Sequence, residues 1–344
     1  MIKLTKTFNI LIMKGLIVYL YLFFTVSAIL SQEYIAAVQK ESKWGFIDEK
    51  GSWIIEPEFD NAGNFSEGYA IVTIDGTKYY TDIKGDIYGK TEEYEIFHNF
   101  SDGLARVRVD GKWGYIDTSF SIVIKPIYEG AKDFSEGYAS VKVINRWHYI
   151  NQNNIDVFKK SFKKAYDFQE GMAMVKSDGW CFIDTSGVIH RATADVHIKK
   201  GFSEGFAIIE KNKSYGFIDK QLVLSIPAKY MTVKPFSEGI ASVRVGLKWG
   251  YINTKGEWLA EPDFEKAYEF HSGVAMVRIE GKWHFYNKDF VEISDVNKYA
   301  VIFPFSNGLA RVRSGKFWGY IDTSGEFVIE PGFTSARNFI KITP

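Results

Sequence analysis

A four-residue step, Phe-[polar]-[acidic]-Gly, returns every 34 or 35 residues along this 344-residue chain. It stands at Phe65-Ser-Glu-Gly68, Phe100-Ser-Asp-Gly103, Phe134-Ser-Glu-Gly137, Phe168-Gln-Glu-Gly171, Phe202-Ser-Glu-Gly205 and Phe236-Ser-Glu-Gly239. Weaker copies follow at Phe270-His-Ser-Gly273 and Phe305-Ser-Asn-Gly308, and Phe339 closes the series without its Gly. A second anchor runs in phase. Trp44-Gly-Phe-Ile-Asp48, Trp113-Gly-Tyr-Ile-Asp117, Trp249-Gly-Tyr-Ile-Asn253 and Trp318-Gly-Tyr-Ile-Asp322 are near copies, and five variants bring the total to nine. A fixed period of this length means a tandem array, in which each unit buries its apolar face against its neighbours.

The units read as strands. A period of 34 also suits a helix pair, but Ala105-Arg-Val-Arg-Val109 and Ala241-Ser-Val-Arg-Val245 place apolar residues at every second position, the spacing of a strand. One strand spans Leu104 to Val109, an Asp110-Gly111 turn makes a hairpin, and a second strand spans Lys112 to Asp117. An Asp-x-x-Gly turn follows, as at Asp184-Thr-Ser-Gly187. Phe120, Leu222 and Phe290 replace that Gly, so three turns are expected to be altered. A short third strand ends at Pro57, Pro126, Pro227, Pro262 or Pro331, where a missing N–H does least harm. An Ala-x-x-Phe loop then returns to the next unit. Three strands per unit fall short of the four in a propeller blade. The expected architecture is therefore all-β, an open superhelical solenoid of residues 32–344, with a closed propeller-like ring as the alternative.

Residues 1–31 read as an export signal. Lys3, Lys6 and Lys14 precede an uncharged stretch from Gly15 to Leu30, and small residues at Ala28 and Ser31 suit a signal-peptidase cut. The stretch is short for a spanning helix, so a periplasmic, envelope or secreted protein that does not span the membrane is expected. Hydrophobic residues make up 46% of the chain, enough for a core without disulfides. The leader holds three lysines and no acid, leaving 39 basic against 42 acidic residues, and that balance argues against a nucleic-acid binder.

With nine in-phase copies over about residues 34–344, the chain resembles the WG-repeat (KWG) family of bacterial β-repeat proteins. The resemblance implies a bacterial source, frequent export, no catalytic residues and a role in binding or scaffolding. Unit five departs most, reading Val-Ile-His-Arg-Ala-Thr-Ala-Asp-Val-His197 after Gly187.

Few residues suggest chemistry. His148 and His284 replace the Gly of Trp-Gly, His190 and His197 lack a zinc spacing, and Cys181 lies inside a strand as a small core residue. No catalytic motif is present, and neither a cofactor nor a metal is expected. The acids Glu67, Asp102, Glu136, Glu170, Glu204 and Glu238 recur once per unit and read as a turn device. A basic column, Arg108, Lys142, Lys176, Arg244, Arg278 and Arg313, falls opposite the Ala-x-Val face and so is expected to point away from the core. It is either a solvated face or a cationic stripe for an anionic polysaccharide, a lipid headgroup or an acidic protein. Tyr128, Tyr166, Tyr230 and Tyr268 either stack on sugars or cover core edges. The expected function is non-catalytic binding or scaffolding of a protein partner, with carbohydrate or anionic-polymer binding as the alternative.

Overall fold

The alternation becomes a hairpin as expected. In the computed structural model, which describes residues 34–89, 94–192, 196–294 and 296–342, Leu104–Val109 pairs antiparallel with Lys112–Asp117. Arg108 stands opposite Trp113 and Ala105 opposite Ile116. The proposed leader lies outside the described residues.

Eight of the nine sheets nevertheless have four strands or more, not three. The Ala-x-x-Phe segment, read above as a loop, supplies the first strand of the next sheet. Gly130–Ala131 pairs with Tyr138–Val143, with Ala131 opposite Val141. Two residues are too few for alternation to signal a strand. Nine sheets result among the described residues. We number them as blades 1 to 9 by their Trp-position strands: Lys43–Ile47, Thr77–Asp82, Lys112–Asp117, Arg146–Asn151, Trp180–Asp184, Ser214–Ile218, Lys248–Asn253, Lys282–Asn287 and Phe317–Ile321. Blade 4 alone has three strands. Its open edge is covered by the following loop, where Trp147 and Phe162 exchange backbone hydrogen bonds of 2.9 and 2.8 Å.

Both faces of a blade are buried. Ala105, Val107 and Ile116 face back onto Tyr80, Phe97 and Phe100. Tyr115 and Trp113 face forward onto Ala131, Phe134, Ala139 and Val141 of blade 4. The inward columns therefore lie on opposite faces of the sheet, each packed on a different neighbour.

The array closes into a ring. Blade 1 takes Tyr34–Lys40, Lys43–Ile47 and Trp53–Phe59 from the start of the described chain and its first strand, Ser335–Ala336, from the end. Val38 stands opposite Ala336, and Ile340–Lys341 adds a further pair, Ile35 with Ile340. Val38, Ile47, Tyr320, Ile329 and Phe339 form one core joining blade 9 to blade 1. The other eight interfaces each hold their own apolar cluster. The fold is a nine-bladed β-propeller, which corrects the open solenoid. Among the described residues the first strand of blade 1 is the one that the last unit supplies, and this pairing closes the ring.

Trp-Gly and the Pro loop prove to be one device. A Cβ on Gly114 would lie 2.4 Å from the Ile124 carbonyl oxygen and 2.7 Å from the Pro126 nitrogen. The fourth strand, Ile122–Tyr128, bulges there: Tyr128 opposes Trp113 and Ile124 opposes Tyr115, three residues against one. The same close approach recurs at Gly45, Gly216, Gly250 and Gly319. In blades 2, 4, 5 and 8 the residue is Tyr79, His148, Cys181 or His284. There the Pro bulge is gone and at most a short fourth strand remains, such as Ile87–Tyr88, Ile189–His190 or Glu292–Ser294.

The three turns expected to be altered keep their form. Phe120, Leu222 and Phe290 take φ of 62°, 60° and 56°, and each donates the same backbone bond, 2.9 to 3.0 Å, that Gly51 gives Asp48. Their side chains explain why the strain persists. A Cβ on Gly51 or Gly256 would touch Ile329 or Ile226, the fourth-strand residue of the preceding blade, at 3.2 and 3.3 Å. Phe120, Leu222 and Phe290 follow blades whose equivalent residue is Tyr88, His190 or Ala260, opposite Tyr80, Phe182 and Tyr251. Phe120 stacks on Tyr88 at 5.3 Å and meets Tyr69 and Tyr80 edge-on or tilted at 5.2 and 5.4 Å. The Phe120→Gly variant, whose ring is only partly buried, should lose about 2–3 kcal/mol of packing and regain about 1 kcal/mol of backbone strain. Urea unfolding should show that net loss, and a more stable variant would contradict the packing account.

A candidate binding face on the closed ring

One rim of the ring carries the Phe-Ser-Glu-Gly turns and the Asp turns; the other carries the hairpin turns joining second and third strands. On the first rim the recurrent acid does more than shape its own turn. Glu67 accepts from the backbone N–H groups of Asp102 and Gly103 in the next blade, at 2.7 and 2.8 Å. Glu136 does the same to Glu170 and Gly171, Glu170 to Glu204 and Gly205, and Glu204 to Glu238 and Gly239. The neighbouring Ser donates to the next Phe carbonyl, as Ser101 to Phe134 at 2.7 Å. These charge-assisted bonds form a clasp between successive blades. The clasp weakens toward the seam, where Ser272 of blade 8 accepts from the Gly308 N–H and Asn307 of blade 9 donates to the Phe339 carbonyl. A cavity of about 720 Å³ opens there, lined by Tyr34, Glu238, His271, Ser272, Asn307 and Asn338 among others.

The basic column does not point away from the core. Arg108, Lys142, Lys176, Arg244, Arg278 and Arg313 each share a rung with the Trp position, on the face that packs on the next blade. Lys176, Arg244, Arg278 and Arg313 lie over their Trp rings at 5.6 to 5.9 Å. The expectation failed because a stacked blade has no solvent face; alternation selects which neighbour is met. All six are half-buried near the hairpin rim. Glu95 and Glu265 reach Arg108 and Arg278 at 3.4 and 3.6 Å. At the corresponding place beside Lys176, Arg244 and Arg313 the chain has Lys163, Met231 and Ala300, each donating its N–H to the basic residue's carbonyl.

A second set of cations escaped the sequence reading. Arg106 donates to the Ala131 carbonyl at 2.8 Å and meets Asp133 at 2.7 Å in the next blade. Lys132 crosses to Tyr166 and Asp167, 4.3 Å from the ring and 3.8 Å from the carboxylate. Lys234 repeats this with Tyr268 and Glu269, at 4.5 and 3.2 Å. Arg311 reaches the Ala336 carbonyl and Arg337 the Ala62 carbonyl. Burial pulls the Lys132 ammonium below its ordinary range. The signal was the doubled Arg-x-Arg of Ala105-Arg-Val-Arg-Val109 and Ala310-Arg-Val-Arg313, read as one column instead of two.

The tyrosines divide. Tyr128 and Tyr230 are core residues, Tyr268 is half-buried, and Tyr166 remains 42% exposed. Five third-strand tyrosines, Tyr80, Tyr115, Tyr149, Tyr251 and Tyr320, donate to a carbonyl in or just after the next blade's first strand, as Tyr115 to that of Lys132 at 2.7 Å. Cys181 is fully buried, and burial pushes its thiol up. His148 and His284 each reach an acid eight residues on, Asp156 at 3.0 Å and Glu292 at 2.7 Å. Among the described residues no three His, Cys, Asp or Glu side chains are placed to hold a metal ion.

The hairpin rim carries exposed apolar tips. Ile144 is 80% exposed and Leu247 88%, with Val143, Val245 and Phe317 partly so. They sit on the hairpins of blades 4, 7 and 9, each of which also bears a column cation: Lys142, Arg244 or Arg313.

The model of the WG containing repeat matches residues 44–77, 93–113, 113–147, 149–179, 215–248, 249–283, 285–316 and 318–341. The chain belongs to the WG-repeat family. The unmatched span 180–214 includes the divergent part of unit five. No curated protein matches the sequence. A crystal structure of a eukaryotic initiation factor aligns with a TM-score of 0.59 at 11% identity, over 90% of this chain and 98% of that one. This WG-repeat chain shares a fold with it, and at that identity no more than a fold. A dihydro-heme d1 dehydrogenase, NirN, and BamB from Moraxella catarrhalis align more weakly, with TM-scores of 0.48 and 0.36. Their identities are 10% and 11%, covering 90% and 84% of this chain and 75% and 88% of theirs.

Proposed function

We propose that this WG-repeat protein is an exported, non-catalytic binding or scaffolding ring that takes a protein partner on its hairpin rim. The observation carrying this reading is the pairing of exposed apolar tips, Ile144 and Leu247, with cations on the same hairpins. Exposed apolar side chains beside basic groups suit a partner surface that is apolar and acidic. The repeated anchors support it by exclusion, being consumed in clasps, tethers and the Trp-Gly bulge. The alternative, an anionic polysaccharide, is favoured only by Lys176, Arg244 and Arg313, which have no carboxylate at the place where Glu95 and Glu265 stand.

Purified protein offered to envelope extract and to an acidic glycan array separates the two. Partner capture should fall at least tenfold in Ile144→Ser/Leu247→Ser. Glycan retention that survives this change and is lost in Arg244→Glu/Arg313→Glu supports the alternative. Binding indifferent to both variants removes the rim from consideration. Export predicts a mature N-terminus at Ile29 or Gln32, read by mass spectrometry, and an intact Met1 would refute it.

A further inference from the structure

We propose that the gap between blades 5 and 6 binds a small zwitterion with an apolar side chain, of the free hydrophobic α-amino acid class. The gap lies where one inserted residue coincides with two side chains that leave the interface unfilled. Ile198 and Phe202 of blade 6 are four residues apart, where Ala131 and Phe134, or Val233 and Phe236, are three apart. The extra residue lies in Lys199-Lys200-Gly201, at a break in the register of the first strand. Phe182 replaces the tyrosine whose hydroxyl tethers other blades. Met174 stands where Arg106 and Arg311 fill the equivalent interfaces with a guanidinium bonded to the next blade.

The result is a cavity of about 240 Å³. Tyr166, Met172 and Met174 supply its apolar walls, Asp167 an anion, and Lys199 and Lys200 the cations. Sulfur and aromatic walls adapt to aliphatic and aromatic side chains alike. Asp167 is met by Lys132 only at 3.8 Å, and Lys199 is also held by Glu210. Asp167 keeps 46% of its side chain accessible, and partial desolvation raises its carboxyl above the ordinary range. A simple carboxylate entering here would face Asp167, and a simple amine would face two lysines. A molecule carrying both charges pairs with each. The volume lies below the roughly 300–1,000 Å³ typical of drug-sized ligands, which suits a single amino acid. This site lies away from the hairpin tips, so loss of rim binding leaves it standing.

Calorimetric titration of the whole protein tests it. L-leucine, L-methionine or L-phenylalanine should give saturable binding, with glycine, N-acetyl-leucine and leucinamide at least tenfold weaker. Asp167→Asn should weaken leucine binding at least tenfold while the unfolding midpoint stays unchanged. Met174→Trp, which fills the gap, should abolish it. No saturable heat from any of the three amino acids overturns the proposal, as does binding of N-acetyl-leucine or glycine equal to that of leucine. The ligand series needs no variant, so a misfolded mutant cannot shelter the idea.

Discussion

Ending the chain at Phe333 should abolish cooperative unfolding of the ring. The cut removes the whole first strand of blade 1. Gone are the pairings of Val38 with Ala336 and Ile35 with Ile340, and the bonds from the Thr334 and Arg337 N–H groups to the Gln39 and Ala37 carbonyls. Phe339 and Ala336, both almost fully buried, leave the core shared with blade 9. The Tyr320 hydroxyl loses the Arg337 carbonyl, and Ser306 loses that of Phe339. Burial of one Phe side chain contributes about 1.5–3 kcal/mol, against total stabilities of about 5–15 kcal/mol. The topological effect exceeds these sums. In a closed ring every blade has two neighbours, so none leaves without breaking two interfaces. In an open arc the terminal blades are each held by one, and they unfold first. Denaturation of the truncated protein should broaden into more than one step, limited proteolysis should begin in blades 1 and 9, and the scattering radius of gyration should rise. An unchanged midpoint and radius would mean that the seam contributes nothing to closure.

The route from sequence to ring shows where reading stops. Phe-Ser-Glu-Gly and Trp-Gly-Tyr-Ile-Asp gave the unit, its hairpin and its period, because alternation and turn chemistry act over a few residues. Stacking rests on contacts between residues 33 to 36 apart, as in Ser101 to Phe134 or Glu67 to Gly103, and closure on pairs from the two ends of the array, as Val38 with Ala336. A repeat has that spacing whether it coils openly or closes. The deciding signal was the short strand of the Ala-x-x-Phe segment, as at Lys266–Ala267, too short to announce itself, which turns three strands into four. The basic column failed for a related reason. Arg108 was correctly placed opposite Ala105 and Val107, but in a stack of sheets the opposite face meets the next blade and not water. The blade 5–6 cavity is foreshadowed only by spacing: Ile198 and Phe202 are four residues apart where Ala131 and Phe134 are three, a single insertion that a variable repeat hides.

Gly114→His should destabilise the protein by about 3 kcal/mol, the upper end of overpacking costs, whereas the reverse change in a sister blade, His148→Gly, should cost about 1 kcal/mol. Both residues hold the same position, between the Trp and the Tyr of the third strand. In blade 3 the added Cβ meets backbone: the Ile124 carbonyl oxygen at 2.4 Å, the Lys125 carbonyl carbon at 2.8 Å and the Pro126 nitrogen at 2.7 Å. Backbone atoms in a paired strand cannot swing aside as the end of a side chain does. Relief requires the Ile122–Tyr128 bulge to lift, which would expose Ile124 and Tyr128, now 1% and 7% accessible. Blade 4 has no bulged fourth strand, so the His148 ring has room and bonds Asp156 at 3.0 Å. Removing it forfeits one half-exposed contact and adds the conformational entropy of a strand glycine. Urea midpoints of the two variants measure the difference directly. Equal costs would mean that glycine is kept at Trp-Gly for some property of the third strand alone. A threefold or greater disparity would tie it to the Pro bulge, and would explain why Gly45, Gly114, Gly216, Gly250 and Gly319 occur only in blades that also carry Pro57, Pro126, Pro227, Pro262 and Pro331.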